Sequence, residues 1–325
     1  MSKNGLPRKP LTKRRLKNLI LNVLKNPFNM VVLVSLVILF CLIIIPLLTM
    51  IANTFTLAQG ELRRVQGHVG DFTLYYWKYI LASTLSGAVL WGPLKNSFIC
   101  GLFTVLVSVP LGSVLAWLMI RTDIPGKKIL GLLVTVPYMI PSWTKALAWL
   151  AMFRNSTSGA DGFLAGMGIP IPDWLAYGPI AIVLCMSMHY YAFSYIMVSG
   201  ALRSINSELE EMGEIQGASK AQILRHITLP LILPSVLSAT VMTISKSIGT
   251  YGVPANLGNR IGYYTLATKM RNFIDQGPQA VGYAMSIVLV LLAALIIFSN
   301  QRIVGVRKSY ATVSGKGGRA TLMPL

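Results

Sequence analysis

Two lysines stand inside long apolar runs, Lys145 in PSWTKALAWLAMF and Lys246 in TISKSIGTYGVP. An ammonium group near the bilayer centre costs roughly 2.5–3.5 kcal/mol by insertion scales, so such a residue faces a cavity, finds a partner or snorkels to the interface. Lys145 reads most simply as a snorkelling side chain. Lys246, among small polar residues at an expected helix break, reads as either a structural or a pathway group. Two lysines beside a path would repel a bare polyamine and favour an anionic cargo, a phosphonate or ferric iron accompanied by anionic ligands. Tyr138, His189, Tyr251 and Asn256 could add hydrogen bonds or oxygen ligands there, although ordinary packing accounts for each as simply.

Other chemistry is poorly supplied. Cys41, Cys100 and Cys185 lie inside apolar runs without CxxC spacing, and His68, His189 and His226 are scattered, so no metal site is expected. Neither HExxH nor GxSxG occurs, which argues against an embedded hydrolase. The SGKGG near the end does not follow a strand or complete a GxxxxGK[ST] loop, so the chain is not expected to hydrolyse ATP by itself. The acidic residues fall in loops or at the ends of apolar runs, which counts against a stand-alone ion-coupled secondary transporter.

The elements that must position the lysines follow from hydropathy. The 325 residues are 54% hydrophobic and 12% charged, and mean hydropathy is +0.62, values of an integral membrane protein. The net charge of +19 resides at the chain ends and in short connections and makes no basic face interleaved with aromatics, so no nucleic-acid partner is expected. Six apolar runs are long enough to cross the hydrocarbon core as helices, near 30–52, 97–120, 129–152, 179–201, 231–253 and 280–299. The fold class is therefore all-α, with about six transmembrane helices. Lys and Arg concentrate in the segments that share a side with the termini, which places both termini in the cytoplasm.

The remaining segments are peripheral. The basic stretch 1–28 is expected to lie along the anionic inner leaflet, ahead of an uncleaved first span. Residues 71–81, DFTLYYWKYIL, read as an external interfacial helix, and the tail 306–325 reads as disordered.

One insert does not fit a simple crossing. Residues 202–230 carry the most acidic stretch of the chain, EEMGEIQGASKAQILRHITLP, between two apolar runs. Ser207 with Glu210 and Ser219 with Gln222 have capping-box spacing, and Gly217 lies between them as a helix-ending glycine. Leu229-Pro230 is expected to stop the second helix and open the next span. Leu209, Met212 and Ile215 recur every three residues as an apolar stripe beside an acidic stripe of Glu208, Glu211 and Glu214. A loop that only crosses from one span to the next would require neither stripe; a solvated interfacial helix-turn-helix is the plain alternative.

The run from Glu211 to Pro230 resembles the EAA motif of permease subunits in binding-protein-dependent ABC importers: E-A-A, three residues, G, nine residues, I-x-L-P. Glu211, Gly217, Ile227, Leu229 and Pro230 stand at matching spacing, while Met212 and Gly213 replace the two alanines. The resemblance extends over about residues 70–305, through PLKNSFICGLFTVLVSVPLGSVLAWLMIRTDIPGKK, PYMIPSWTKALAWLAMF and GTYGVPANLG. The last two look most like the ferric-iron branch, beside the polyamine and phosphonate branches.

The resemblance implies a type I ABC importer permease fold over residues 29–305, in a bacterial inner membrane. It implies that the coupling loop 202–230 docks on a separate ATPase, with Glu208, Glu211, Met212, Glu214, Ile215, Gly217, Ala218, Ile227, Leu229 and Pro230 at the contact. Two such ATPase subunits would bind ATP-Mg, and this chain would hold no cofactor of its own. A second copy or sister permease is expected, because only one EAA motif occurs, together with an extracytoplasmic solute-binding protein that delivers cargo. Ferric iron is the expected cargo, with phosphonate or polyamine as alternatives. Lys145, Lys246, Tyr251 and Asn256 are the candidate pathway residues.

Overall fold

The computed structural model describes residues 27–307, except Arg63, Asn206 and Ser207. Most of the basic segment 1–28, and the tail 306–325 beyond Arg307, lie outside the described residues. The architecture is all-α. No strand occurs among the described residues, and Thr56 and Phe72 form an isolated antiparallel bridge.

Five helices are long and apolar enough to cross a membrane: α1 (Pro27–Asn53), α3 (Gly92–Arg121, entered through a π turn at Gly87–Trp91), α6 (Gly178–Ser204), α8 (Lys220–Gly249) and α11 (Gln279–Arg307). Shorter helices pack among them: α2 (Tyr75–Ala82), α4 (Lys127–Met139), α5 (Ser142–Phe153), α7 (Glu208–Ile215), α9 (Gly252–Leu257) and α10 (Leu266–Gln276).

The run at 129–152 corrects the expectation of six unbroken spans. It forms two helices, α4 and α5, of 13 and 12 residues, joined at Ile140-Pro141. Proline disfavours the α conformation of the residue before it, and Ile140 adopts φ −77°, ψ 130°. Elsewhere Pro46, Pro110 and Pro234 remain inside helices. The fifth expected span also shifts: its helix begins at Lys220, well before residue 231, and ends at Gly249, where Thr250 turns extended.

The core lies where α3 and α6 cross. Gly112 allows this approach, since a Cβ there would meet the Tyr191 carbonyl oxygen at 2.4 Å and Ser194 Cβ at 2.8 Å. Small residues let helix backbones close up in this way within lipid, where hydrophobicity drives no association between helices. Ala116, Tyr195, Val198, Leu202 and Ile232 join α3, α6 and α8 in one buried cluster. A second cluster sets α5 and α9 on α6, through Ala146, Leu150, Ile182, Cys185, Val253 and Leu257.

The aromatic helix α2 is not simply interfacial. Tyr76 and Ile80 are fully buried against Val281, Ala284 and Met285 of α11. Helix α1 contrasts with it: no residue is buried, and long side chains from Phe28 to Leu48 are exposed, as suits a helix wrapped in lipid or by another chain.

Candidate functional site

Two groups of residues stand out, one on the loop between α6 and α8 and one at the break between α4 and α5.

The loop takes its shape from local backbone chemistry. Helix α7 ends in a Schellman arrangement: Gly217 N–H donates to Glu214 O at 2.9 Å and Ala218 N–H to Gly213 O at 3.0 Å. Gly217 has φ +83°, the left-handed conformation that only glycine adopts without strain. Ser219 then caps α8. Its backbone N–H donates to Gln222 Oε1 at 2.8 Å, and its hydroxyl accepts from Gln222 N at 3.3 Å.

Leu229-Pro230 does not stop this helix. A π turn at Leu224–Thr228, closed by Leu229 N–H on Leu224 O, carries α8 on without interruption. The wider turn re-registers the backbone ladder just before the residue that lacks an N–H.

Leu209, Met212 and Ile215 are 48%, 56% and 85% exposed, and Glu208, Glu211 and Glu214 are exposed beside them. Both stripes thus lie open on the outer face of α7. Ala218 and Ile227 are half-buried, Leu229 and Pro230 exposed.

Sequence reasoning assigned Glu210 to a capping box with Ser207, a residue outside the described set. The structure sends its carboxylate inward. Glu210 Oε1 accepts from Thr228 Oγ1 at 2.7 Å, and Oε2 lies 3.3 Å from Arg121 Nε at the end of α3. Arg121 is 1% exposed and Glu210 5%. The contact with arginine is one of charge rather than an aligned hydrogen bond, and the guanidinium nitrogens have no hydrogen-bond partner among the described residues. The available signal was a lone arginine closing an apolar run; nothing in the sequence joined it to residue 210.

The second group gathers four elements. At the break, Lys145 Nζ donates to Ile140 O at 3.1 Å and is hydrogen-bonded to His189 Nδ1 of α6. An ammonium can only donate, so the imidazole accepts at Nδ1 and, when neutral, carries its proton on Nε2. The ring of Tyr138, from α4, stacks on His189 with centroids 5.3 Å apart. Lys246 of α8 donates from Nζ to Tyr138 Oη at 2.9 Å and lies 4.4 Å from the ring centroid of Phe193. Among the described residues neither lysine has an ion-pair partner. The ring faces offset part of the desolvation cost, but no carboxylate neutralises the two charges.

The other two candidates are placed elsewhere. Tyr251 lines a different cavity with Arg271 and Asp275, where Asp275 accepts from Arg271 Nε at 2.7 Å and holds the guanidinium above its ordinary pKa. Asn256 Nδ2 donates to Gly252 O in its own helix at 2.7 Å. Phe193 joins the lysine cluster without having been singled out; its i, i+4 spacing from His189 was the legible signal.

Comparison with known proteins agrees with this architecture. Over 180 residues the chain is 28% identical to the probable sulfate transport system permease protein cysT of Marchantia polymorpha, covering 54% of this chain and 59% of that protein. It is 30% identical over 166 residues to the putative 2-aminoethylphosphonate transport system permease protein PhnV of Salmonella typhimurium, covering 49% and 62%. The chain thus spans about three fifths of the length of these two relatives.

Among solved structures, a chain of a bacterial ABC transporter that imports the acidic polysaccharide alginate superposes with a TM-score of 0.66 at 18% identity, covering 90% of this chain and 99% of that one. A chain of the MetNI methionine ABC transporter in an inward-facing conformation gives 0.52 at 23%, covering 69% and 98%. At these identities the likeness concerns the fold. Residues 108–309, a range that holds both groups described above, match the family described as binding-protein-dependent transport system inner membrane component. The chain belongs to that family: it is a multi-pass inner membrane component of a binding-protein-dependent transport system.

Proposed function

We propose that this chain forms the translocation path for a small oxyanion, sulfate or a phosphonate, in an ATP-driven importer of the bacterial inner membrane. The observation that carries the cargo is the pair Lys145 and Lys246, brought together through His189 and Tyr138 at a helix break, with no carboxylate among the described residues to balance them. Broken helices in lipid recur where a polar solute must pass, because backbone groups freed there can face it. The relatives named above are sulfate and 2-aminoethylphosphonate permeases. Ferric iron, expected from the resemblance of two short segments, gives way to the oxyanion on the evidence of these relatives.

An extracytoplasmic binding protein would deliver the anion, and a second permease, identical or sister, would complete the path. Two ATPase subunits holding ATP-Mg would receive the coupling loop. Its exposed Leu209, Met212 and Ile215 supply the groove-filling face, and Glu208, Glu211 and Glu214 the charged rim. ATPase closure would bias two states of the bundle, inward-open and outward-open. Both termini would lie on the ATPase side.

Uptake of radiolabelled sulfate, 2-aminoethylphosphonate and ferric iron by cells carrying the transporter tests the cargo. Uptake of one oxyanion that falls with Lys246→Met supports the assignment. Iron uptake indifferent to both lysines would overturn it.

A further inference from the structure

We infer that the oxyanion met by the two lysines carries an uncharged apolar substituent, and that a cavity beside Lys145 receives it. The cargo class is then an alkyl or aryl phosphonate or sulfonate rather than inorganic sulfate. This rests on the oxyanion reading above and narrows it. The cavity, of about 400 Å³, lies between the end of α4, the break after it, α5 and α6. Lys145 is the one charged group among the described residues of its wall. Ile140, Ala148, Trp149, Met152 and Met188 supply most of the remainder. The indole Nε1 of Trp149 is engaged elsewhere, donating to Leu175 O at 2.9 Å, so its contribution to the wall is carbon.

The direction of Lys145 decides what kind of anion can reach it. A snorkelling lysine extends toward the nearer end of its helix, where headgroups lie. That end is at Phe153, about 12 Å from Lys145 at 1.5 Å per residue. The side chain turns the other way: Nζ donates to Ile140 O at 3.1 Å, back at the break, and meets His189 there. The ammonium is thus drawn away from the headgroups toward the interior of the α4–α5 pair, and its counter-anion is a solute rather than a lipid phosphate.

The wall decides what else that solute carries. Inorganic sulfate is polar on every side, and against this wall some of its oxygens would face carbon without a donor. A phosphonate or sulfonate divides along its own carbon bond, with the charged oxygens on Lys145 and the substituent among Ala148, Trp149, Met152 and Met188. The substituent must be neutral. None of the lining residues is acidic, so an amino group, as in 2-aminoethylphosphonate, would lose water without gaining a counter-charge. Each methylene buried there should tighten binding roughly fourfold.

The test uses the full chain with the subunits that co-purify, in neutral detergent, and reads dissociation constants by titration calorimetry. The probes are sodium sulfate, ethylphosphonate, butylphosphonate and 2-aminoethylphosphonate, with butanol as the uncharged control. Butylphosphonate should bind roughly tenfold tighter than ethylphosphonate and tighter than sulfate, and 2-aminoethylphosphonate should bind more weakly than ethylphosphonate. Lys145→Met should weaken every phosphonate. Ala148→Phe should shrink the gain of butyl over ethyl, and Met188→Ala should favour a longer chain still; both side chains are exposed, so neither change disturbs the core. If no anion binds, or if binding ignores both Lys145→Met and Lys246→Met, the oxyanion reading falls and the inference with it. If sulfate depends on the lysines yet binds at least as tightly as butylphosphonate, the reading stands and the inference alone fails. It also fails if the butyl gain survives Ala148→Phe, or if the amino group costs nothing. Butanol binding as tightly as butylphosphonate would make the cavity a seat for lipid chains and overturn the inference too.

Discussion

Arg121, buried, and Lys145, half-buried, are both cations at a helix terminus, and the chain treats them in opposite ways. Arg121 faces Glu210, whose other oxygen is bound by Thr228, so the charge is balanced by the loop between α6 and α8. Lys145 meets a carbonyl and an imidazole, and Lys246 beyond it meets a phenol and two rings, none of which carries a compensating charge. Charge matched within the chain fixes where one element sits on another. Charge left unmatched in an apolar setting is a standing demand for an anion from outside. On the proposed function the two regions divide positioning from handling of cargo, and substitutions should separate them.

Breaking the matched pair should have the largest effect. Glu210→Ala leaves a buried guanidinium unopposed and should destabilise the chain by about 3–5 kcal/mol. Thermal unfolding of the purified complex would show this, and Arg121→Met combined with Glu210→Leu should recover most of the loss. If Glu210→Ala melts like the wild type, the pair does not anchor the loop.

The unmatched lysines should respond the other way. Lys145→Met with Lys246→Met should keep or raise the melting temperature while oxyanion uptake falls roughly tenfold or more, the scale of one lost charge-assisted hydrogen bond. Parallel losses of stability and uptake would return both lysines to a structural role.

Gly217→Val forces a branched side chain into the left-handed region, at about 1–2 kcal/mol. Uptake should be abolished while membrane insertion, followed by fractionation, persists; Gly217→Asn should be far milder.

Ile215→Glu alters only the exposed face of α7. It should reduce ATPase co-purification, with chain stability within about 0.5 kcal/mol of wild type.

The smallest effect is expected at Gly213→Ala. The added methyl would lie 3.2 Å from Ile223 Cγ1 and Ile227 Cδ1, so slight crowding opposes a gain in helix propensity of about 1 kcal/mol. Net stability should move little; a large loss would mean that the two isoleucines cannot yield.

Much of this was legible in the sequence for identifiable reasons. Hydropathy placed the long helices, and short-range backbone rules placed the Gly217 bend and the Ser219 cap, because each depends on residues only a few positions apart. The split at Pro141 was written locally too, but run length outweighed it in the reading. Pro230 misled in the opposite sense, since a π turn absorbs the missing N–H. The Arg121–Glu210 contact and the Lys145–His189–Tyr138–Lys246 cluster join residues far apart in the chain. No period or spacing encodes such contacts; they arise only when separate helices pack together. Helix α10 was also missed, because its polar face, with Lys269, Arg271 and Asp275, hides the apolar stripe that packs on α11.

The unbroken course of α8 has a mechanical consequence. Lys220 beside the coupling bend and Lys246 at the cation cluster belong to one rod, on the order of 40 Å apart at 1.5 Å per residue. A hydrogen-bonded helix resists shortening, so displacement at one end reaches the other almost undiminished. A tilt of about 5° about the loop end would carry Lys246 by roughly 3 Å, enough to part its ammonium from the Tyr138 hydroxyl. The π turn at Leu224–Thr228 lies near that pivot and is the compliant segment of an otherwise stiff lever. Force applied at the loop end would then open and close a contact at the far end of the helix, without any signal passing from side chain to side chain.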